Sequence, residues 1–92
     1  MKLTFEWDEV KARENLKKHK VAFDEGKTIF NDAFLLTFPD LDTSEVEDRY
    51  VNIGLSAKDR VLALIHTERQ GKIRIISCRK ATARERRHYE EG

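Results

Sequence analysis

At 92 residues the chain is one small domain, and its 39% hydrophobic and 38% charged residues predict a single core under a heavily charged surface. The longest apolar run, Val61–Ile65, is far short of the ~20 residues a membrane-spanning helix needs. Met1–Asp8 has no apolar signal-peptide stretch and Cys78 is the only cysteine, so the composition predicts a soluble, cytoplasmic, metal-free domain without disulfides or a cysteine-based zinc site.

Leu3–Trp7 alternates as a short strand. Asp8 then caps a helix over about Glu9 to His19, with Glu9 in its first turn and Lys17, Lys18 and His19 in its last, as the helix dipole favours. A second short helix covers about Asp24 to Asn31, with Phe23, Gly26, Ile29 and Phe30 on one side. From residue 33 the period changes to two. Strands are predicted at Phe34–Phe38, ended by Pro39-Asp40, and at Arg49–Leu55, Arg60–Thr67 and Lys72–Cys78. The third of these is apolar on both faces, which marks a central strand. Gln70-Gly71 supplies a two-residue hairpin turn. Thr82-Ala83-Arg84-Glu85 is a capping box opening a last helix to about Glu91. The order β-α-α-β-β-β-β-α predicts an α+β domain, residues 1–92, with an antiparallel sheet of four or more strands, two N-terminal helices and one C-terminal helix.

The turn implies a register. Arg69 faces Lys72, Thr67 faces Arg74, His66 faces Ile75, Ile65 faces Ile76 and Leu62 faces Arg79. A loop at Ser56–Asp59 pairs Ile53 with Leu62 and Val51 with Leu64. Val51, Ile53, Leu62, Leu64, Ile73 and Ile75 then share the face under the first two helices. Tyr50, Asn52, Thr67, Lys72, Arg74, Ile76, Cys78 and Lys80 share the other, and a one-residue slip exchanges the two.

The net charge of +1 conceals a segregation: residues 24–48 hold one base against eight acids, and residues 71–92 seven bases against three acids. The basic end is a candidate phosphate-binding face unless the acidic middle neutralises it in the fold. Arg79 and Lys80 stand where a strand hands over to a loop, and Arg84 and Arg87 share a face of the last helix. Guanidinium groups there match phosphate oxygens, against the plainer alternative of a solvated basic helix. His19 is either a helix-end dipole partner or a proton-transfer group, since its reference pKa is ~6.5. Arg49, with Glu47 two residues before it, is either an ion pair or a phosphate contact. His66 reads as a core histidine, Tyr89 as an anchor for the last helix, and Tyr50 as a base-stacking ring or one packed under that helix. The three histidines have no metal-ligand spacing.

Phe5-Glu6-Trp7-Asp8-Glu9 with Lys11, Asn15 and Lys18-His19 resembles the N-terminal signature of the BrnT toxin family. So do Ser44, Glu47 and Arg49 leading into Ile53-Gly54, and so does Arg74-Ile75-Ile76-Ser77-Cys78-Arg79-Lys80-Ala81-Thr82 with Glu85-Arg86 and Tyr89-Glu90-Glu91. The resemblance covers nearly the whole chain. It implies a RelE-like ribonuclease toxin of a type II toxin–antitoxin system, cutting RNA without a metal or other cofactor and so inhibiting translation. It further implies neutralisation by a BrnA-type ribbon-helix-helix antitoxin, through which alone the chain reaches operator DNA. Under that resemblance Arg79, Lys80 and Arg49 stabilise charge, His19 and Glu47 are the base candidates, and Arg60, Arg74, Arg84 and Arg87 bind RNA. The chain departs from the family at Lys20, where glycine usually follows Lys-His, so that the helix is expected to close differently. It also departs at Thr43, usually histidine, and at Cys78, usually alanine. The alternatives are a catalytically silent antitoxin-binding module and a DNA-binding protein.

Overall fold

The computed structural model describes residues 3–40 and 48–92. Thr43, Ser44 and Glu47 lie outside the described residues. Strand β1 (Phe5–Glu6) leads into helix α1 (Glu9–His19) and the short helix α2 (Phe23–Gly26), which tightens into a 3₁₀ turn over Lys27–Asn31. Strands β2 (Leu36–Pro39), β3 (Arg49–Leu55), β4 (Val61–Arg69) and β5 (Lys72–Lys80) follow, then helix α3 (Ala83–Glu91). They form one sheet in the order β1-β5-β4-β3-β2. The pairing is antiparallel from β2 to β5, and β1 adds to β5 in parallel. The apolar strand β4 is central, as its two-sided pattern predicts.

Local chemistry sets most boundaries. The Asp8 carboxylate accepts the Val10 amide at 2.8 Å and opens α1. At the other end Lys20 adopts a left-handed conformation, φ 60°, and its amide reaches the Leu16 carbonyl. The turn thus closes as a glycine would close it, contrary to the expectation drawn from Lys20. Gln70 (φ 52°) and Gly71 (φ 78°) both take positive φ, as a tight hairpin turn demands. β2 starts at Leu36 and not at Phe34, and it runs on through Pro39, which pairs with Tyr50. The proline is tolerated because β2 is an edge strand and needs no outward amide there.

The core lies between the first face of the sheet and the elements α1, α2 and the 3₁₀ turn. Val21, Phe23, Ile29, Leu62, Leu64, Ile73, Ile75 and Cys78 pack there. Two details of register depart from expectation. β3 is slipped by one residue against β4, so Ile53 faces Ala63 and Val51 faces Ile65. This sends Val51 and Ile53 to the second face and brings Asn52 and Gly54 to the core face. A Cβ on Gly54 would lie 3.1 Å from Ile29 Cβ, which explains the small residue. In addition, a bulge beside Ile65 and His66 leaves Ile76 unmatched, so Ile65 faces Ser77, Leu62 faces Lys80 and His66 still faces Ile75. The extra residue changes the parity of β5, and Ile73, Ile75 and Cys78 all reach the core. Cys78 therefore belongs to the helix-covered face, not the other one.

Asn15 ties α1 to the sheet. Its amide donates to the Val21 and Cys78 carbonyls at 2.9 and 2.7 Å and accepts the Cys78 amide at 3.1 Å. On the second face α3 packs against β3 and is tied to β5 through Glu85 and Arg79. Tyr89 anchors it as predicted, its hydroxyl donating to Asp32 Oδ2 at 2.5 Å. Tyr50 is not under α3. It stacks on His66 on the core side, with ring centroids 5.2 Å apart.

Candidate functional site

The predicted site residues separate into two groups along the strands. At one rim Arg60 and Lys80 line an open groove with Asp59, Val61, Ala81, Arg86 and Glu90. His19 ends α1 immediately before Lys20, whose carbonyl accepts from Arg60 Nη2 at 3.3 Å. At the other rim Arg49 faces Thr67 and Thr67 faces Arg74. Arg74 and Lys80 are six residues apart on β5, about 20 Å at ~3.3 Å per residue. One phosphate cannot meet both rims. Arg84 and Arg87 form a third, shallow patch with His88 and Glu91 on the exposed side of α3.

Several of the cations are already engaged. Arg60 Nε donates to Glu25 Oε2 at 2.9 Å, and Nη2 makes a closer ion pair with Oε1. The Glu25 side chain is only 4% exposed, and Ser56 Oγ also donates to it, at 2.7 Å. Arg60 and Ser56 hold this carboxyl below the usual carboxylate range against the opposing effect of burial. Arg60 is thus the counter-ion of a buried carboxylate, a structural task that its predicted role did not include. A buried carboxylate without it would be strongly unfavourable.

Arg79 is gripped as firmly. Its Nη1 and Nη2 donate to Glu85 Oε1 and Oε2 at 2.6 and 2.9 Å. Glu85 meanwhile completes the capping box: Oε1 accepts the Thr82 amide at 2.9 Å and the Glu85 amide donates to Thr82 Oγ1 at 3.1 Å. One carboxylate therefore starts α3 and fastens it to β5, and Arg79 holds its pKa down. Arg74 Nη1 donates to Glu6 Oε2 at 3.0 Å. Lys80, Arg84, Arg86 and Arg87 are exposed.

Sequence reasoning missed Glu25, Ser56 and Glu6 as partners. Glu85 was visible as a cap, yet its second role needs the fold. Burial pushes the Cys78 thiol up to about 12, so it is inert at neutral pH. His66 is buried, and burial pushes its pKa down against the pull of Glu68. Asn52 Nδ2 approaches its Nδ1 at 2.7 Å, which makes Nδ1 the acceptor. Among the described residues no three His, Cys, Asp or Glu side chains gather as metal ligands.

The described residues thus form an open five-stranded sheet edged by β1 and β2, with helical elements α1 and α2 on one face and α3 at the C-terminal end. The crystal structure of the Brucella abortus ribonuclease toxin, BrnT, matches with a TM-score of 0.68 over 88% of this chain and 99% of that one, at 23% identity. Comparison with curated protein sequences finds no match. The family described as "Ribonuclease toxin, BrnT, of type II toxin-antitoxin system" matches residues 7–85, and the chain belongs to that family.

Proposed function

We propose that this chain is a metal-independent endoribonuclease that inhibits translation and is neutralised by a BrnA-type ribbon-helix-helix antitoxin, through which alone it reaches operator DNA. The family match over residues 7–85 carries the reading. In the reaction the 2′-hydroxyl attacks the adjacent phosphorus. A 2′-O–P bond forms, the P–O5′ bond breaks, the hydroxyl proton passes to a base, and the departing 5′-oxygen takes up a proton. Cations stabilise the phosphorane between these events. Arg49, Arg74, Lys80 and the α3 arginines are the groups on hand for that charge. His19 is the first candidate for the base. Glu47 remains the second base candidate.

The test is incubation of the purified chain with single-stranded RNA in excess EDTA. Fragments ending in 2′,3′-cyclic phosphate are the expected product. Cleavage that needs an added divalent cation would overturn metal independence, and no cleavage under either condition would leave the silent binding module.

A further inference from the structure

The second face of the sheet at the start of β3 differs from the other basic regions. Register sets Arg49, Thr67 and Arg74 in a row across β3, β4 and β5. Arg74 already bonds to Glu6, as Arg60 does to Glu25 and Arg79 to Glu85. Arg49 is unlike them. Among the described residues no carboxylate pairs with its guanidinium, and its Nε is buried without a hydrogen-bond partner.

Its main chain is nonetheless held on both sides. The Asp40 amide donates to the Arg49 carbonyl at 2.8 Å, and Thr67 Oγ1 donates to the Asp48 carbonyl at 2.7 Å. A buried donor on a permanently charged group is rarely left without an acceptor in a native protein. The planar guanidinium is also the side chain shaped for phosphate oxygens. On the same face, next to Arg49 along β3, is Val51, and the cross-strand partner of Val51 is Phe38, which is 44% exposed. An aromatic ring beside a phosphate contact is the pairing that holds an unpaired nucleotide.

We propose that Arg49 seats a backbone phosphate of the RNA strand with the adjoining base on Phe38, and that Arg79 is a positioning residue that fixes α3 through Glu85 without touching RNA. This rests on the reading of the chain as an RNA-cutting toxin.

The wild-type chain, labelled with ¹⁵N, is titrated with a 2′-O-methyl oligoribonucleotide that it cannot cleave. The Arg49 Nε–H resonance is expected to move and to be protected from exchange. Arg49→Gln is expected to weaken binding roughly tenfold and to lower the salt dependence of binding by about one phosphate contact, with an unchanged melting temperature. Arg79→Gln is expected to lower the melting temperature and leave the salt dependence as it is. If Arg49→Gln does not fold, the wild-type resonance decides. An Arg49 signal that is stationary at saturating RNA, or that responds only to the antitoxin, overturns the assignment. So does a loss of salt dependence in Arg79→Gln instead of Arg49→Gln. A chain that binds no RNA but whose Arg49 signal answers inorganic phosphate overturns the RNA reading and supports the phosphate seat. Silence toward both overturns the two together.

Discussion

Glu25 is a carboxylate sealed into the domain, and Arg60 is the reason it can stay charged. Replacing Arg60 with Met removes the partner and leaves the charge buried, which is expected to cost about 3 kcal/mol. Arg60→Met combined with Glu25→Leu should recover most of that loss, as urea denaturation of the three proteins will show. The pH dependence follows from the same interior. His66 has its pKa pushed below its ordinary value of 6.5 by burial, so the unfolded chain takes up its proton first and stability declines as pH falls below 6.5. Glu25, held down chiefly by Arg60, and Glu85, held down chiefly by Arg79, have pKa values lowered from 4.5. Burial would raise Asp32, yet hydrogen bonds from Tyr89 and two backbone amides leave it lowered from 3.8. These three stabilise the fold above their unfolded pKa values, and that contribution disappears as pH falls through the folded ones. A two-stage acid decline is expected, and His66→Asn should remove the upper stage. Arg60 was legible as a cation but not as a structural one, because Glu25 is 35 residues away in the chain. Only the approach of α2 to the β3–β4 loop makes the pair.

At the scale of elements, local rules served well where they are local. The Asp8 cap, the capping box at Thr82 and the Gln70-Gly71 turn each depend on neighbours within four residues, and each forms. The slip of β3 and the bulge in β5 depend on what the sheet packs against. Asn52 is drawn to the core face by Thr37 Oγ1, which donates to its Oδ1 at 2.8 Å, and by the Leu64 carbonyl, which accepts from its Nδ2 at 3.0 Å. Alternating hydrophobicity cannot reveal a polar residue with waiting partners. Lys20 offers a direct check on the energetics of a helix end. A side chain at φ 60° carries a steric cost that glycine lacks, partly offset by the greater freedom of glycine when unfolded. Lys20→Gly is therefore expected to stabilise the domain by up to ~1 kcal/mol, read as a higher urea midpoint with an unchanged slope.

For the whole molecule, the segregation of charge survives folding in altered form. In the acidic stretch Glu25 and Asp32 turn inward to Arg60 and Tyr89, and Asp24 lies 3.6 Å from Lys27. At the basic end Arg79 is neutralised by Glu85, while Lys80, Arg84, Arg86 and Arg87 face solvent. An antitoxin that masks this end is expected to present a segment rich in Asp and Glu. Raising salt should then slow association more than it speeds dissociation, because steering is screened within ~10 Å at 0.1 M ionic strength. Stopped-flow mixing across a salt series measures both rates. Cross-linking that places the antitoxin mainly on residues 24–48 would show that the basic end is not what it masks.

The parallel pairing of β1 with β5 carries a consequence for how the chain comes into being. Strand β1 waits for β5: the Ile73 amide donates to the Thr4 carbonyl at 2.8 Å, and the Arg74–Glu6 bond spans 68 positions. Helix α1 has the same dependence, since Asn15 is satisfied by the backbone of Cys78. During translation neither β1 nor α1 has a surface to settle on until β5 leaves the ribosome. Contacts this distant in sequence also make folding slow for the size of the domain. An interrupted synthesis therefore yields an unfolded fragment for the cell's proteases, and not a partial toxin.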